Sequence, residues 1–371
     1  MSYFLSTLRT YTTILSMSLF SYTLLSLLIA TGCTPPNFSE SQWRQRVESA
    51  QYRQLYEPHK KDGFYFTPWI EMKIGNPFRA LKWKFTAGQS YTEAEESFLP
   101  KVLPDAERRI RDNGDKDFLL WIGHGSFLIK TGEQVWLLDP MFSDRALLPV
   151  RKTAPALTAE SVNRLFRDVN IVISHNHYDH LDEESIKRLS KEYTFYVPLG
   201  IGQYISEWKP AANIVEMDWW QKRRISPGFE LHSLPAQHWC MRALERPNRS
   251  LWASYMIVTP KFTIYFGGDS GYFIGYREFA KKYPKIDYAL MPTTAYHPRW
   301  FMHEAHMNVE EAIRAFQELQ ARYFVPTQWG TFRLGDNPPG YPALELRRLI
   351  RSKQLDPNRY LGLEIGEIRN L

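Results

Sequence analysis

The strongest chemical signal in the sequence is a group of ligand-type side chains between residues 174 and 182. The segment reads Ser-His-Asn-His-Tyr-Asp-His-Leu-Asp, and it holds three of the ten histidines of the chain together with a carboxylate. Imidazole nitrogens and carboxylate oxygens are the ligands that zinc and similar first-row ions prefer. Isolated histidines are most often ordinary surface residues, but four such side chains on one short segment (His175, His177, Asp179 and His180) predict a metal site.

The neighbouring residues predict how these side chains are positioned. The apolar run at 169–173 predicts a strand, so alternation along an extended chain would direct the first three ligand-type side chains to one side. A turn must then bring His180 round. Asp182 is a good N-cap for a following helix, and Leu181 with Ile186 has the spacing of a hydrophobic staple. The ligand-type residues are therefore expected between the end of a strand and the start of a helix.

From residue 118 onward the pattern predicts a layered α/β domain. Short apolar runs are separated by turn signals, which is typical of strands, and no internal repeat is present. The predicted strands cover 118–122, 126–130, 135–138, 169–173, 194–197, 229–234, 254–258, 262–266, 288–291 and 323–325, and the predicted helices cover 183–191, 275–282 and 309–319. Strands interleaved with helices favour a layered domain over a bundle or a solenoid.

Residues 33–117 have a different composition, rich in Pro and aromatic residues, as in 64–69 and 81–85. No regular helix or strand period is predicted there. This region is interpreted as an arm that packs on the core of a single domain over 118–371. The alternative is a lip that contacts lipid.

The N-terminus has the form of an export signal. One charge, Arg9, precedes the largely apolar residues 13–29, which are followed by Ala-Thr-Gly and then Cys33. Small residues before a Cys resemble a bacterial lipobox, which predicts a signal peptide over 1–32 and lipidation of Cys33. The chain is then an exported, membrane-anchored lipoprotein on the periplasmic side. An outer membrane is plausible, because Thr34 is not an acidic retention residue, but the sequence leaves the choice between inner and outer membrane open. The alternative is an uncleaved anchor helix, because about 20 largely apolar residues can span a bilayer.

Composition limits the classes of partner. The 46 Lys and Arg residues exceed the 40 Asp and Glu residues, for a net charge of +6, which suits an anionic substrate or a membrane surface. The dense basic runs of a nucleic-acid binder are missing from the sequence, so no nucleic-acid partner is predicted. Two cysteines cannot form a disulfide framework.

The 174–182 motif resembles the signature of the metallo-β-lactamase fold superfamily. Further motifs resemble its N-acylphosphatidylethanolamine-hydrolysing phospholipase D branch, and in chain order they lie at 121–125, 137–143, 218–220, 235–240, 248–252, 266–272, 295–302 and 328–332. The resemblance runs from about residue 68 to about residue 332. It implies a four-layer αββα sandwich, with two facing sheets, helices outside and metals at one edge of the sheets.

The resemblance also implies two divalent ions, with Zn²⁺ expected. Carried over by position, one ion would be held by His175, His177 and His238, and the second by Asp179 and His180, with Asp269 bridging the two ions. The family places a histidine where this sequence has Gln328. An amide oxygen is a weaker ligand than imidazole for a borderline-soft ion, so the second site is expected to be weak.

Three further residues are expected beside the ligands without binding metal. Asp139 ends a predicted strand and is expected to hold the ligand loop by hydrogen bonds. His124 is interpreted in the same way or as a substrate contact, and His306 occupies a family position near the site. A fourth residue, His303, is a further candidate to lie beside the ligands or on the substrate side. His303 and His306 are one residue too close together for the two histidines of a zincin, so the sequence excludes that class of metalloprotease. Cys240 is interpreted as a buried thiol.

These observations predict a metal-dependent phosphodiesterase of the phospholipase D type that acts on N-acylphosphatidylethanolamine or a related phospholipid. Two divalent ions can activate water and stabilise both oxygens of the displacement, with Asp179 or Asp269 orienting the water. The predicted partners are this phospholipid and the membrane surface, reached through the lipid anchor. One alternative is hydrolysis of another ester, a lactone or a small phosphodiester. The other is a catalytically impaired, membrane-tethered binding protein, because Gln328 alters the site.

Overall fold

The computed structural model describes residues 37–86, 88–242 and 245–371. The predicted signal peptide at 1–32 and the predicted lipidation site Cys33 lie outside these residues. Among the helices of the described part of the chain, none is both long and apolar enough to cross a bilayer.

The described elements alternate between strands and short helices. The strands are β1 (Lys60–Lys61), β2 (Phe64–Tyr65), β3 (Phe118–Gly123), β4 (Ser126–Thr131), β5 (Gln134–Leu138), β6 (Asn170–Val172), β7 (Thr194–Pro198), β8 (Asn213–Met217), β9 (Lys222–Ser226), β10 (Phe229–Leu234), β11 (Ser254–Val258), β12 (Thr263–Phe266), β13 (Tyr288–Pro292), β14 (Tyr323–Thr327) and β15 (Ile368–Asn370). The helices are α1 (Glu40–Glu48), α2 (Pro77–Phe85), α3 (Glu93–Ser97), α4 (Ala106–Asp112), α5 (Ala159–Leu165), α6 (Glu183–Arg188), α7 (Gly202–Trp208), α8 (Gly275–Lys282), α9 (Arg299–Met302), α10 (Val309–Leu319) and α11 (Tyr341–Ser352), with 3₁₀ turns at Tyr52–Tyr56 and Pro357–Arg359.

Two large sheets form the centre of the fold. The seven-stranded sheet has the order β15-β3-β4-β5-β6-β7-β8, and the six-stranded sheet has the order β14-β13-β12-β11-β10-β9. Helices flank both sheets, which is the αββα arrangement of the metallo-β-lactamase fold. The predicted fold class is therefore confirmed.

The inner strands of the seven-stranded sheet, β3 to β7, are buried on both faces. Along β3, Leu119 and Trp121 pack in the core between the sheets, whereas Leu120 and Ile122 pack in a second core against the outer helices. Side chains alternate across a strand, so a sheet covered on both faces needs apolar residues at every position. This requirement explains why these strands appear in the sequence as continuous apolar runs.

Strand direction brings the carboxyl ends of several strands to one edge. In the first sheet β5 and β6 are parallel, and β3 and β5 are both antiparallel to β4. In the second sheet β12, β13 and β14 are parallel, and β10 and β12 are both antiparallel to β11. The residues after these strands are His124, Asp139, the 174–182 segment, His238, Asp269 and Gln328. They belong to the same edge of their sheets, where the metal site was predicted.

Most predicted elements from residue 118 onward agree with the structure. The ranges predicted for β10 and β11 and for helices α8 and α10 match the observed ones residue for residue, and Asp182 caps α6 by accepting from the Ser185 amide. The edge strands β8, β9 and β15 and the helices α5, α7, α9 and α11 were not predicted. Helix α11 does carry apolar residues at helical spacing, so its pattern was present in the sequence.

The expectation of no regular helix in the arm was wrong, because α1 to α4 lie within residues 33–117. These helices are short, at five to nine residues, so few turns repeat an apolar spacing. Their sequence signal is capping: Thr92 and Glu95 form a capping box at α3. Other arm residues, among them Trp43, Leu55 and Trp69, join the core between the sheets.

Substitution of Gly268, the residue before Asp269, tests how tightly the chain is packed at the edge of the sheets that carries the predicted site. Gly268 has φ +55°, and a Cβ there would lie 2.6 Å from Ser174 Cβ. Gly268→Ala should reduce the free energy of unfolding by about 1–3 kcal/mol for overpacking in addition to about 1 kcal/mol for the left-handed backbone. Gly114→Ala is the matched control, because Gly114 has φ +64° with open space around it. Equal decreases in the free energy of unfolding for Gly268→Ala and Gly114→Ala, measured by urea denaturation, would contradict the interpretation that Gly268 is tightly packed against Ser174.

Candidate metal centre

The structure brings His175, His177, His238 and Asp269 together as one group of ligand atoms. His175 Nε2 lies 2.8 Å from His177 Nδ1, which lies 3.2 Å from His238 Nε2. Asp269 Oδ2 lies 3.7 Å from His175 Nε2 and 3.5 Å from His238 Nε2. Ligand atoms at the corners of a tetrahedron around zinc are about 3.3 Å apart. The four atoms therefore have the spacing of a tetrahedral first-row ion site.

A second group lies beside the first and contains Asp179, His180 and His124. His180 Nε2 is 3.3 Å from Asp179 Oδ2 and 3.3 Å from Asp269 Oδ1. His124 Nε2 is 2.9 Å from Asp179 Oδ2. Asp269 thus directs one carboxylate oxygen at each group, which is the position that a bridging ligand would take.

The outer nitrogens of three histidines are held by other groups, and this fixes which nitrogen faces the centre. His180 Nδ1 is 2.6 Å from Asp139 Oδ2, His175 Nδ1 is 2.9 Å from Ser174 Oγ, and His238 Nδ1 is 3.1 Å from the Ala305 carbonyl oxygen. A proton on Nδ1 leaves the lone pair of Nε2 free for a metal. The buried Nε2 of His180 and the buried Oδ1 of Asp269 make no hydrogen bond within the described residues. The residues present therefore fit a pair of divalent ions.

Asp139 connects the ligand segment to the sheet. Besides its contact with His180, it accepts hydrogen bonds from the Ser174 amide at 2.7 Å and the Ser174 hydroxyl at 2.6 Å. Asp139 is completely buried at the end of β5. Sequence reasoning did not single out Ser174, although it stands first in the motif. The Ser174 hydroxyl links the Asp139 carboxylate to the His175 imidazole.

The pKa values of these groups favour the protonation states that bind a cation. Burial lowers the pKa of His177 to about 4 and holds the pKa values of His175 and His238 well below the ordinary value. Burial alone would raise the pKa of Asp269, but the adjacent imidazoles, His180 above all, hold it well below the usual range. Neutral imidazoles and ionised carboxylates are the forms that bind metals.

His180 behaves differently because it lies among carboxylates. Burial lowers its pKa, but Asp269, Asp179 and Asp139 together raise that pKa well above the ordinary value of a histidine. A cation entering the second group would therefore displace a proton from this imidazole.

The expectation that His175, His177 and Asp179 project to one side of an extended chain was wrong. Strand β6 ends at Val172, and the chain then turns, with the amides of His180 and Leu181 donating to the His177 carbonyl. The turn sends the two histidines to the first group and the carboxylate to the second. One short segment therefore supplies both groups.

Gln328 lies at the site, between His124 and Gly268. Its amide N–H donates to the His124 carbonyl at 3.0 Å, and its side-chain Nε2 donates to the Gly268 carbonyl at 2.9 Å. The side chain is fully buried, and Oε1 has no hydrogen-bond partner within the described residues. The His124 imidazole belongs to the second group of clustered ligand atoms, and the Gln328 side chain lies beside that group, since a Cβ added at Gly125 would meet both His180 and Gln328.

The two histidines near residue 305 have different surroundings. His306 Nδ1 is 4.0 Å from Asp269 Oδ2, and its ring packs edge-on against His238. His303 was expected near the site, but it packs between Phe38 and Trp43 of the arm. That expectation was wrong, because the α9 turn directs the two side chains to opposite sides.

The buried Cys240 agrees with its interpretation as a packed thiol. Its sulfur lies 3.4 Å from the Leu251 carbonyl oxygen, and burial raises its pKa to about 12. The protonated thiol is a poor nucleophile and a poor ligand at neutral pH.

Comparison with known proteins assigns the fold to a family. The family model for the β-lactamase superfamily domain matches residues 135–329. An uncharacterized protein of Mycobacterium tuberculosis is 34% identical over 281 residues, which cover 72% of each chain. The N-acyl-phosphatidylethanolamine-hydrolyzing phospholipase D 1 of Caenorhabditis elegans is 28% identical over 270 residues, covering 68% of this chain and 75% of that protein.

A solved structure shows the same fold at lower identity. A metallo hydrolase of the archaeon Ignicoccus hospitalis superposes with a TM-score of 0.54 at 19% identity, covering 69% of this chain and 98% of that chain. This likeness concerns the fold, because sequence identity at this level says little about substrate.

Removal of one imidazole should weaken metal binding. For His238→Ala we expect metal affinity to fall by at least about tenfold. Residues that only orient the ligands already contribute about tenfold to a hundredfold to metal affinity. Metal content after equilibration with a graded chelator, measured by plasma mass spectrometry, checks this. His232→Ala is the matched control, because that histidine lies in β10 but contacts Tyr283 and Glu230 instead. Unchanged affinity in His238→Ala would exclude this group as a metal site.

Gln328→His should raise the occupancy of the second group, because imidazole binds a borderline-soft ion better than an amide oxygen does. The measurement is the number of ions per chain at a fixed free metal concentration. Gln328→Asn is the control, since it keeps an amide at this position. Equal stoichiometry in the unmodified chain and Gln328→His would place residue 328 outside the coordination shell.

Proposed function

The chain belongs to the metallo-β-lactamase superfamily as a metal-dependent hydrolase, and we propose that its substrate is N-acylphosphatidylethanolamine or a related phospholipid. The proposed reaction is hydrolysis of the phosphodiester on the headgroup side. Water adds hydroxide to phosphorus, the bond to the N-acylethanolamine oxygen breaks, and that oxygen takes up the remaining proton. The products are phosphatidic acid and N-acylethanolamine.

The observation that carries this proposal is the position of Asp269, with one oxygen directed at each of two adjacent groups of ligand atoms. Two divalent ions held there would supply Lewis-acid activation of water and charge stabilisation for both the attacking and the departing oxygen. A phosphodiester needs both effects, because negative charge increases on its oxygens as the bond breaks. The similarity to the C. elegans phospholipase supports a lipid diester as the substrate.

The side chains around the centre have separate proposed roles. Asp179 accepts a hydrogen bond from His124, which fixes the direction of its carboxylate. It is thereby placed to orient a water molecule between the two groups. Asp269 is the second candidate for that role.

His306 lies on the substrate side of the centre. It is close to Asp269 and also lines an apolar cavity of about 430 Å³. Trp83, Trp239, Phe301 and Met302 are among the other lining residues. Apolar walls suit an acyl chain, and a polar imidazole on the side of the candidate metal centre suits the phosphate. This combination favours a lipid over a small water-soluble ester.

Gln328 favours one alternative, that of a lipid-binding protein with impaired catalysis. A buried amide oxygen in place of an imidazole would leave the second group short of a strong ligand. About one ion per chain together with no turnover on any substrate would favour this alternative.

His177→Ala should lower the release of N-acylethanolamine from N-acylphosphatidylethanolamine by at least about a hundredfold, because bound ions contribute several kcal/mol to such a transition state. Mass spectrometry of the products measures this rate. His232→Ala, a histidine outside both groups, should retain the rate of the unmodified chain.

Two results would contradict the proposal. Undiminished release by His177→Ala would remove the metal-dependent mechanism. Faster turnover of lactones, carboxylic esters or small phosphodiesters than of the lipid would assign the centre to another substrate.

A further inference from the structure

Helix α2 carries an apolar ridge that faces solvent. Phe78, Leu81 and Phe85 are 79%, 55% and 63% exposed, although each is a large hydrophobic side chain. Their spacing of three and four residues places them on one face of the helix. Scattered exposed apolar residues are normal, but three aligned on one helix mark an interaction surface.

The same helix is held firmly to the body of the protein by its other face. Trp83 Nε1 donates to Asp336 Oδ1 at 2.8 Å, and its ring stacks on Phe301 with the centroids 5.1 Å apart. Arg79 donates to the Trp300 carbonyl at 3.3 Å. The exposed ridge is therefore presented by a fixed helix.

The inner face of α2 forms a wall of the apolar cavity next to the candidate metal centre. Ala80 and Trp83 line this cavity from α2, and His306 lines it from the side of the centre. One face of the helix thus borders the cavity, while the other exposes the apolar ridge. A lipid chain that passes over α2 would move from the apolar ridge to the apolar wall of the cavity.

The charged residues of α2 itself are all basic, and the acidic side chains that contact it, Glu304 and Asp336, meet Arg79 and Trp83 on the face that packs against the protein. The helix sequence Pro77–Phe85 contains Arg79, Lys82 and Lys84 and no acidic residue. Exposed Lys73 precedes the helix and is one of the residues that line the cavity. Aromatic and aliphatic residues on one face, flanked by basic ones, are typical of helices that lie in a membrane interface.

We propose that α2 is an interfacial docking helix, with Phe78, Leu81 and Phe85 inserted into the surface of an anionic bilayer, so that the cavity mouth opens toward the lipid. Lys84 and Lys73 contact the anionic headgroups, and Ala80 and Trp83 guide an acyl chain toward His306. This inference rests on the proposed lipid substrate, but docking itself requires no turnover.

A local probe tests the insertion in the full chain. An environment-sensitive fluorophore is attached through Leu81→Cys in a Cys33→Ser background, where the remaining Cys240 is buried and unreactive. Vesicles of phosphatidylethanolamine and phosphatidylglycerol, without N-acylated lipid, should increase the emission and shift it to shorter wavelength. Lys84→Gln should raise the lipid concentration needed for half the change by about fivefold.

The matched control is Leu148→Cys in the same background, since Leu148 is 78% exposed but lies outside α2 and the cavity lining. Its probe should not respond. A silent probe at residue 81, an equal response at residue 148, or no effect of Lys84→Gln would overturn the inference. A response at residue 81 that depends on protein concentration without lipid would assign the ridge to a second copy of the chain.

The outcome is separable from that of the proposed function. A silent probe alongside release of N-acylethanolamine would overturn docking by α2 alone. Insertion at residue 81 without any phospholipid hydrolysis would overturn the proposed substrate and leave a lipid-docking helix.

Discussion

The candidate centre depends on the contacts of one buried imidazole with three buried carboxylates. His180 Nδ1 is 2.6 Å from Asp139, and its Nε2 is 3.3 Å from both Asp179 and Asp269. A buried carboxylate is costly unless it is paired and hydrogen-bonded. The protonated imidazole compensates part of the charge of all three, and cations that displace its proton would take over that role. Positive charge therefore stabilises the buried carboxylates at this edge of the sheets. This explains why so many ionisable groups are tolerated in apolar surroundings.

Sheet direction makes this arrangement possible. The candidate ligands come from chain segments up to 204 residues apart, between His124 and Gln328. They meet because each follows the carboxyl end of a strand, and those ends share one edge. The apolar residues of the strands supply the core that holds the two sheets together. Stability of the core and geometry of the site are thus linked, since a shift between the sheets would separate His238 and Asp269 from the 174–182 segment.

The N-terminal arm takes part in the site without supplying a candidate ligand. Trp69 Nε1 donates to the side chain of Gln237, next to His238, at 3.1 Å. The Lys73 amide donates to Glu304, near His306, at 2.7 Å. Helix α2 then closes one wall of the cavity. The arm therefore steadies the loops that carry two histidines and shapes the approach to them. Its exposed ridge and basic charge connect this approach to the lipid surface that the proposed substrate requires.

Local pattern in the sequence determined most of the strands from residue 118 onward, the helices α8 and α10, and the cap at Asp182, because each depends on residues close together in the chain. The spacing of the 174–182 motif identified a ligand segment, and resemblance added His238 and Asp269. Only the tertiary structure decided how these residues are shared. The turn at His177 sends Asp179 to the second group, His124 joins it across the sheet edge, and Gln328 binds the Gly268 carbonyl. Such contacts join distant segments, and their distances depend on how two sheets pack, which no local pattern contains. The helices of the arm were missed for a different reason: they are only five to nine residues long, so the apolar spacing that marks a helix repeats too few times to stand out between the prolines.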